Sequence, residues 1–70
     1  MNLQLTIQKG RDVPVRFGHP WIFSGALAHA PQTEVAVLAD ILSSRGELLG
    51  QGFYTPHARL AVRMLTRTGE

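Results

Sequence analysis

Basic side chains are the residues of this 70-residue sequence best suited to chemistry, because they can contact phosphate. They are Lys9, Arg11, Arg16, Arg45, Arg59, Arg63 and Arg67. All but one are arginines, whose guanidinium group can form two hydrogen bonds with a phosphate and can stack on a base. Five acidic residues leave a net charge of +2, which by itself does not require a polyanionic partner. The residue type therefore favours a phosphate-contacting surface more strongly than the net charge does.

Catalytic and metal-binding groups lack the spacing that their chemistry needs. Ser24 precedes a glycine, but position 22 is Ile22, so the Gly-x-Ser-x-Gly motif of serine hydrolases is incomplete. The three histidines are widely spaced and there is no cysteine, which disfavours a zinc site. Gly50-Gln51-Gly52 is a weak match to a cofactor loop, because its third glycine would fall at Thr55 and no helix follows. We predict no catalytic residue, no metal ligand and no cofactor in this chain.

A stretch rich in glycine and aromatic residues, Gly18–Ala26, holds the only tryptophan. Its apolar trio, Trp21-Ile22-Phe23, predicts a buried corner around which a small sheet closes. The alternative for Trp21 is a platform on which a base stacks. His19 is expected to hydrogen-bond the backbone of its own turn. The residues to which we assign structural roles are Gly18, Pro20, Trp21, Phe23 and Gly25.

The elements that position these residues follow from the hydrophobic pattern. Leu3, Leu5 and Ile7 alternate with polar residues, which predicts a strand with one buried face. Pro14, just after Asp12, favours the first turn of a short helix that would end at Gly18. Residues 27–33 lack a clear period, so we expect a loop or a short edge strand there.

Two central apolar runs flank the compact turn Ser43–Gly46. The first run, 34–42, fits either a helical face or a buried strand, whereas the second, 47–54, has strand length. Two runs around such a turn favour a hairpin. Gly50 and Gly52 within the second run predict a bulge or a sharp bend.

The last run, 59–67, predicts a strand with two different faces. Leu60, Val62 and Met64 would face the core. The opposite face would carry Arg59, Ala61, Arg63, Leu65 and Arg67. Its arginines would then lie about 13 Å apart, at about 3.3 Å per residue, and could contact every second phosphate of an extended strand. Leu65 interrupts this row, and the alternative is an ordinary solvated strand face.

Length and composition bound the architecture. Seventy residues form one domain at most and bury only about 60% of the unfolded surface, so stability should be marginal. Without disulfides or a metal site to stabilise it, the domain either has a well-packed core or is part of a longer protein. No apolar run is long enough to cross a membrane, and no signal peptide is evident, so we expect a cytoplasmic protein.

Several stretches together resemble a known family. They are Lys9-Gly10-Arg11, Gly18–Ala26, Arg45–Pro56 and Leu60–Thr66. In this order they look like the N-terminal PUA domain of bacterial class I methyltransferases that form 5-methylcytosine in large-subunit ribosomal RNA. The resemblance covers nearly the whole chain, and its most specific part is the His-Pro-Trp-Ile-Phe-Ser-Gly run. It implies a single PUA-like domain over residues 1–70: a small, mainly β, mixed pseudo-barrel with a short helix after the first strand.

The resemblance also implies a function. It favours a strand over a helix for 34–42, and it implies RNA binding that serves a methyltransferase domain beyond residue 70. S-adenosylmethionine would belong to that domain. The residues that we predict to contact RNA are Lys9, Arg11, Arg16, Arg45, Arg59 and Arg63. The alternative is a docking or dimerisation module whose exposed apolar residues, such as Leu65, pack on the catalytic domain or a twin.

Overall fold

The architecture was taken from a computed structural model, which describes residues 3–33, 35–56 and 58–68. The described residues form five β-strands, one short α-helix and one 3-10 turn. In chain order these are β1 (Leu3–Thr6), α1 (Val13–Arg16), β2 (Trp21–Phe23), the 3-10 turn (Ser24–Ala26), β3 (Val37–Leu42), β4 (Leu48–Tyr54) and β5 (Leu60–Arg67). The predicted mainly β fold with a short helix after the first strand is confirmed.

The strands form one mixed sheet in the order β1-β3-β4-β5-β2. Strands β3, β4 and β5 form an antiparallel meander, β1 pairs in parallel with β3, and β2 pairs antiparallel with β5. The two N-terminal strands therefore occupy opposite edges of the sheet. The chain between them crosses one face and carries α1, whose Val15 is buried in the core.

The core is formed by apolar side chains from every strand and from α1. It consists of Leu5, Ile7, Val15, Ile22, Leu27, Ala39, Ile41, Leu49, Tyr54, Ala61, Val62 and Met64. Leu5 and Ile7 are fully buried, as the alternation in the first strand predicts. The region 34–42 contains strand β3, so its helical alternative is wrong; residue 34 itself lies outside the described residues.

The hairpin of β3 and β4 is confirmed, and so is the irregularity at its glycines. The pairing of β4 with β5 shifts register between Gln51 and Gly52. At Gly50, where φ is +153°, a Cβ atom would meet the Thr66 carbonyl oxygen at 2.1 Å. At Gly52 it would meet Val62 Cγ1 at 2.5 Å. These glycines thus admit the neighbouring strand and do not form a loop that could enclose a cofactor.

The prediction that Trp21 and Phe23 are buried is wrong. Their side chains are 47% and 53% exposed, whereas Ile22 between them is 3% exposed. Because these residues form strand β2, successive side chains point to opposite faces, and only the middle one reaches the core. Gly25 has open space where a Cβ would lie and no left-handed backbone, so the structure gives no reason for the glycine that we predicted to be structural there.

The other structural residues in this stretch anchor it to β5. The Pro20 carbonyl accepts a hydrogen bond from the Met64 amide at 2.6 Å. Gly18 adopts a φ of +94°, which favours glycine, and its carbonyl accepts a hydrogen bond from Arg67 Nη2. The turn after α1 is therefore fixed from both ends.

The predicted row of three arginines on the last strand is wrong. Arg59 precedes β5, and the pairing of β2 with β5 slips between Ile22 and Phe23, which pairs with Leu60. Ala61 is consequently buried instead of exposed. Arg67 turns toward the Gly18 carbonyl. The extra residue at Ala61 is a bulge in β5 itself, and it breaks the alternation that the sequence shows.

The segment after the 3-10 turn is a loop over residues 28–33, held at two points. Leu27 forms an isolated antiparallel bridge with Ile7, and the buried Tyr54 donates its hydroxyl to the Pro31 carbonyl at 2.9 Å. His57, in the predicted turn before β5, lies outside the described residues. Among the described residues, no helix is long and apolar enough to cross a membrane.

Candidate nucleic-acid interface

Two turns that are distant in sequence form an open groove of about 810 Å³, which we call the basic groove. One wall is the β1–α1 turn and the start of α1, and the other is the β3–β4 turn. The residues that line it are Lys9, Gly10, Asp12, Arg16, Ser43, Ser44, Arg45 and Glu47. Three of the six residues predicted to contact RNA therefore come together here: Lys9, Arg16 and Arg45.

The cations of the basic groove differ in how they are used. Arg16 pairs with Asp12 on its own helix turn and, through Nη2, with Glu47 Oε1 at 2.9 Å. Hydrogen bonding to Arg16 lowers the pKa of the Asp12 carboxyl below its ordinary value of 3.8. In the described part of the chain, no ion pair involves Lys9 or Arg45. Arg16 thus fixes the groove, while Lys9 and Arg45 present their charge to solvent.

The β3–β4 wall is organised by a buried hydroxyl. Ser43 is 2% exposed, and its Oγ accepts the backbone N–H groups of Arg45 and Glu47, each at 3.2 Å. This hydrogen-bonded turn fixes the backbone from which Arg45 projects. Glu47 is set by the same hydroxyl, which places its carboxylate against Arg16.

A second groove of about 460 Å³ lies beside β2, and we call it the aromatic groove. Its lining includes Gly10, Arg11, Pro14, His19, Trp21, Phe23 and Gly25. Trp21 and Phe23 lie on the same side of β2, about 6.6 Å apart along the strand at about 3.3 Å per residue. Gly10 lines both grooves, so the two meet at the β1–α1 turn.

His19 holds Trp21 in place, which confirms the expectation that it bonds the backbone of its own turn. Its Nδ1 lies 3.3 Å from the Trp21 amide nitrogen and 3.2 Å from the Trp21 carbonyl oxygen. These contacts require opposite protonation states of Nδ1, so only one is a hydrogen bond at a time. The two rings meet edge to face, with centroids 6.2 Å apart and planes at 75°.

Comparison with known proteins places this chain in a family. Residues 5–67 match the family described as the PUA-like domain. The chain belongs to the PUA-like domain family. Over 67 residues it is 36% identical to ribosomal RNA large subunit methyltransferase I of Alteromonas mediterranea, 34% to that of Escherichia coli and 33% to that of an Enterobacter species. The match covers 94% of this chain but 17% of each relative, in its N-terminal region.

The remaining predicted contacts of this PUA-like domain lie apart from the basic groove. Arg11 lines the aromatic groove. Arg63 lies on the outer face of the sheet, directly between Trp21 on β2 and Phe53 on β4. Arg59 borders a third, smaller cavity beside Tyr54. The structure thus divides the six cations among four places.

Sequence reasoning missed the two carboxylates that organise the basic groove of the PUA-like domain. Asp12 lies four residues before Arg16, a spacing that favours an ion pair on a helix and is visible in the sequence. Glu47 is 31 residues from Arg16, and nothing local indicates that contact. It exists because the β3–β4 turn folds back over α1.

Proposed function

We propose that this PUA-like domain binds structured ribosomal RNA through the basic groove. The observation that carries the proposal is the convergence of Lys9 and Arg45 on one groove, where no ion pair among the described residues involves either of them. Lys and Arg side chains supply the phosphate contacts that dominate affinity for nucleic acid. A groove walled by two polar turns suits a folded backbone better than a small apolar ligand.

The relatives support a role beside a catalytic domain. They carry the name ribosomal RNA large subunit methyltransferase I, and this chain spans about a sixth of their length. We propose that the domain positions ribosomal RNA for an S-adenosylmethionine-dependent, cytosine-5 methyltransferase domain of a longer cytoplasmic protein. The cofactor would be held outside this chain, since Gly50-Gln51-Gly52 lies in a packed strand where even a Cβ would clash.

The test removes the charges of Lys9 and Arg45 and compares the RNA affinity of that variant with the affinity of a matched control. Lys9→Ala with Arg45→Ala lowers the net charge by two, as does Gln4→Glu with Gln32→Glu, whose side chains are exposed and outside the basic groove. Binding to a fragment of large-subunit ribosomal RNA is measured by fluorescence anisotropy at several salt concentrations. We expect the alanine pair to weaken binding about 10- to 100-fold and the control pair less than about threefold.

The salt dependence adds a second readout. Each phosphate contact contributes about 0.7 to 0.9 to the slope of log affinity against log salt. The alanine pair should therefore reduce the magnitude of that slope by up to the contribution of about two contacts. Equal losses in both variants would mean that only net charge matters, and the basic groove would then not be the site. Failure of the unmodified chain to bind RNA would overturn the proposed function.

A second candidate function is docking, favoured by the exposed apolar side chains on the outer face of the sheet. Leu38, Phe53 and Leu65 are 38%, 45% and 57% exposed on neighbouring strands. We propose that this face packs on a twin or on the methyltransferase domain. Sedimentation of the chain at rising concentration tests whether it packs on a second copy of itself. Leu65→Glu is the variant expected to disrupt that self-association. A monomer at all concentrations would leave the methyltransferase domain as the partner to test.

A further inference from the structure

The aromatic groove presents two exposed rings that the core does not need. Trp21 and Phe23 are about half exposed, side by side on an edge strand whose other edge pairs with β5. Large aromatic side chains are normally removed from water, so a pair of them beside a concave surface indicates a ligand with a flat apolar face. A volume of about 460 Å³ is in the range of sites for small organic groups.

The groove is built before any ligand arrives. The Gln8 side chain donates to the carbonyls of Gly25 and Leu27, at 3.2 and 3.0 Å, and its backbone N–H bonds to the Ala26 carbonyl. These bonds fasten the β1–α1 turn to the 3-10 turn that follows β2. His19 holds Trp21 from the other side. A preorganised site loses little conformational entropy when it binds.

The charges of the groove select the kind of ligand. Among the described residues, Arg11 is the one charged residue that lines it, no carboxylate does so, and no ion pair involves Arg11. A guanidinium group beside two aromatic rings matches a nucleotide, which has a phosphate next to a flat base. Since Gly10 lines both grooves, an RNA backbone bound in the basic groove can continue into the aromatic groove.

We infer that the aromatic groove binds one unpaired nucleotide, with its base against Trp21 and Phe23 and its phosphate at Arg11. This inference rests on the proposed RNA binding and adds to it the kind of RNA structure recognised. A base within a duplex is stacked on both faces and cannot reach the rings. The domain would therefore prefer a loop or bulge next to a helix over an uninterrupted helix.

Trp21 is the only tryptophan and it lines this groove, so its fluorescence reports on binding there. The chain is titrated with three RNA hairpins that share one stem: one with a single-nucleotide bulge, one fully paired, and one with an abasic residue at the bulge. We expect strong quenching by the bulged hairpin and little by the other two. Anisotropy should show about tenfold weaker binding of the bulged hairpin to Trp21→Ala, and rescue by Trp21→Phe, which keeps a ring. Circular dichroism checks that each variant is folded.

The outcomes separate this inference from the proposed function. Binding of all three hairpins with equal affinity and without quenching would leave RNA binding intact and overturn the nucleotide site. Absence of binding to any hairpin would overturn both. A blue shift of Trp21 emission at rising protein concentration without RNA would assign the groove to a protein partner and also overturn the nucleotide site.

Discussion

Arg16 Nη2 lies 2.9 Å from Glu47 Oε1 and joins α1 to the turn between β3 and β4, across 31 positions of sequence. The same guanidinium group pairs with Asp12, so one side chain bridges two carboxylates at the rim of the basic groove. Its two partners show that Arg16 joins the walls between which Lys9 and Arg45 stand. A direct contact with phosphate stays a prediction.

The Asp12–Arg16 pair makes stability sensitive to acid. The hydrogen bond from Arg16 lowers the pKa of Asp12 in the folded chain below its ordinary 3.8. A carboxyl whose folded pKa is depressed stabilises the fold above the unfolded pKa, and this contribution is lost as the pH falls through the folded pKa. We expect the urea concentration at the unfolding midpoint to decrease as the pH is lowered below about 4, and to decrease less for the Asp12→Asn variant. Parallel pH profiles for the two proteins would contradict this assignment.

Truncation should destabilise the fold more at Ile22 than at Trp21. Ile22 is 3% exposed, so Ile22→Ala leaves a cavity and should cost about 2 to 5 kcal/mol of unfolding free energy. Trp21 is 47% exposed, and Trp21→Ala should cost less than about 2 kcal/mol. Urea denaturation followed by circular dichroism gives both values without depending on the tryptophan signal. A larger loss of unfolding free energy for Trp21→Ala than for Ile22→Ala would show that Trp21 is a core residue.

Trp21 and Ile22 also show how much of the structure can be predicted from the sequence pattern. The period of two correctly predicted β1, and two apolar runs around a turn signal correctly favoured the hairpin of β3 and β4. An apolar run of three residues gives no such period, so the sequence could not distinguish a buried cluster from a strand with one inward residue. The bulge beside Ala61 and the Arg16–Glu47 contact depend on long-range pairing, which local pattern does not encode.

Gly50 is expected to tolerate no side chain. A Cβ there would lie 2.1 Å from the Thr66 carbonyl oxygen and 2.9 Å from Arg67 Cα, both backbone atoms that cannot move without opening the β4–β5 pairing. Gly50→Ala should therefore cost about 3 kcal/mol. Gly25→Ala is the matched control, since open space surrounds that position, and should change stability by less than about 0.5 kcal/mol. Thermal denaturation of both variants checks the difference, and equal stabilities would contradict the packing of β4 on β5.

The Tyr54 hydroxyl is expected to restrain the loop before β3. It donates to the Pro31 carbonyl at 2.9 Å while the ring is buried. Tyr54→Phe removes the hydrogen bond but keeps the ring, and should cost about 1 kcal/mol and expose residues 28–33 to limited proteolysis. Phe53→Leu, at the exposed neighbouring position, should leave the rate of cleavage unchanged. Equal cleavage of the Tyr54→Phe variant and the unmodified chain would show that the loop is held elsewhere.

The order of strands in the sheet sets the order in which the chain can fold during synthesis. The N-terminal strands β1 and β2 leave the ribosome first, but their partners, β3 and β5, come later in the chain. β1 cannot pair until β3 has been made, and β2 cannot pair until β5, the last of the described strands, has been made. Both grooves have walls built from these early residues. A nascent chain should therefore be unable to engage RNA at the aromatic groove, which β2 lines, until β5 has emerged from the exit tunnel.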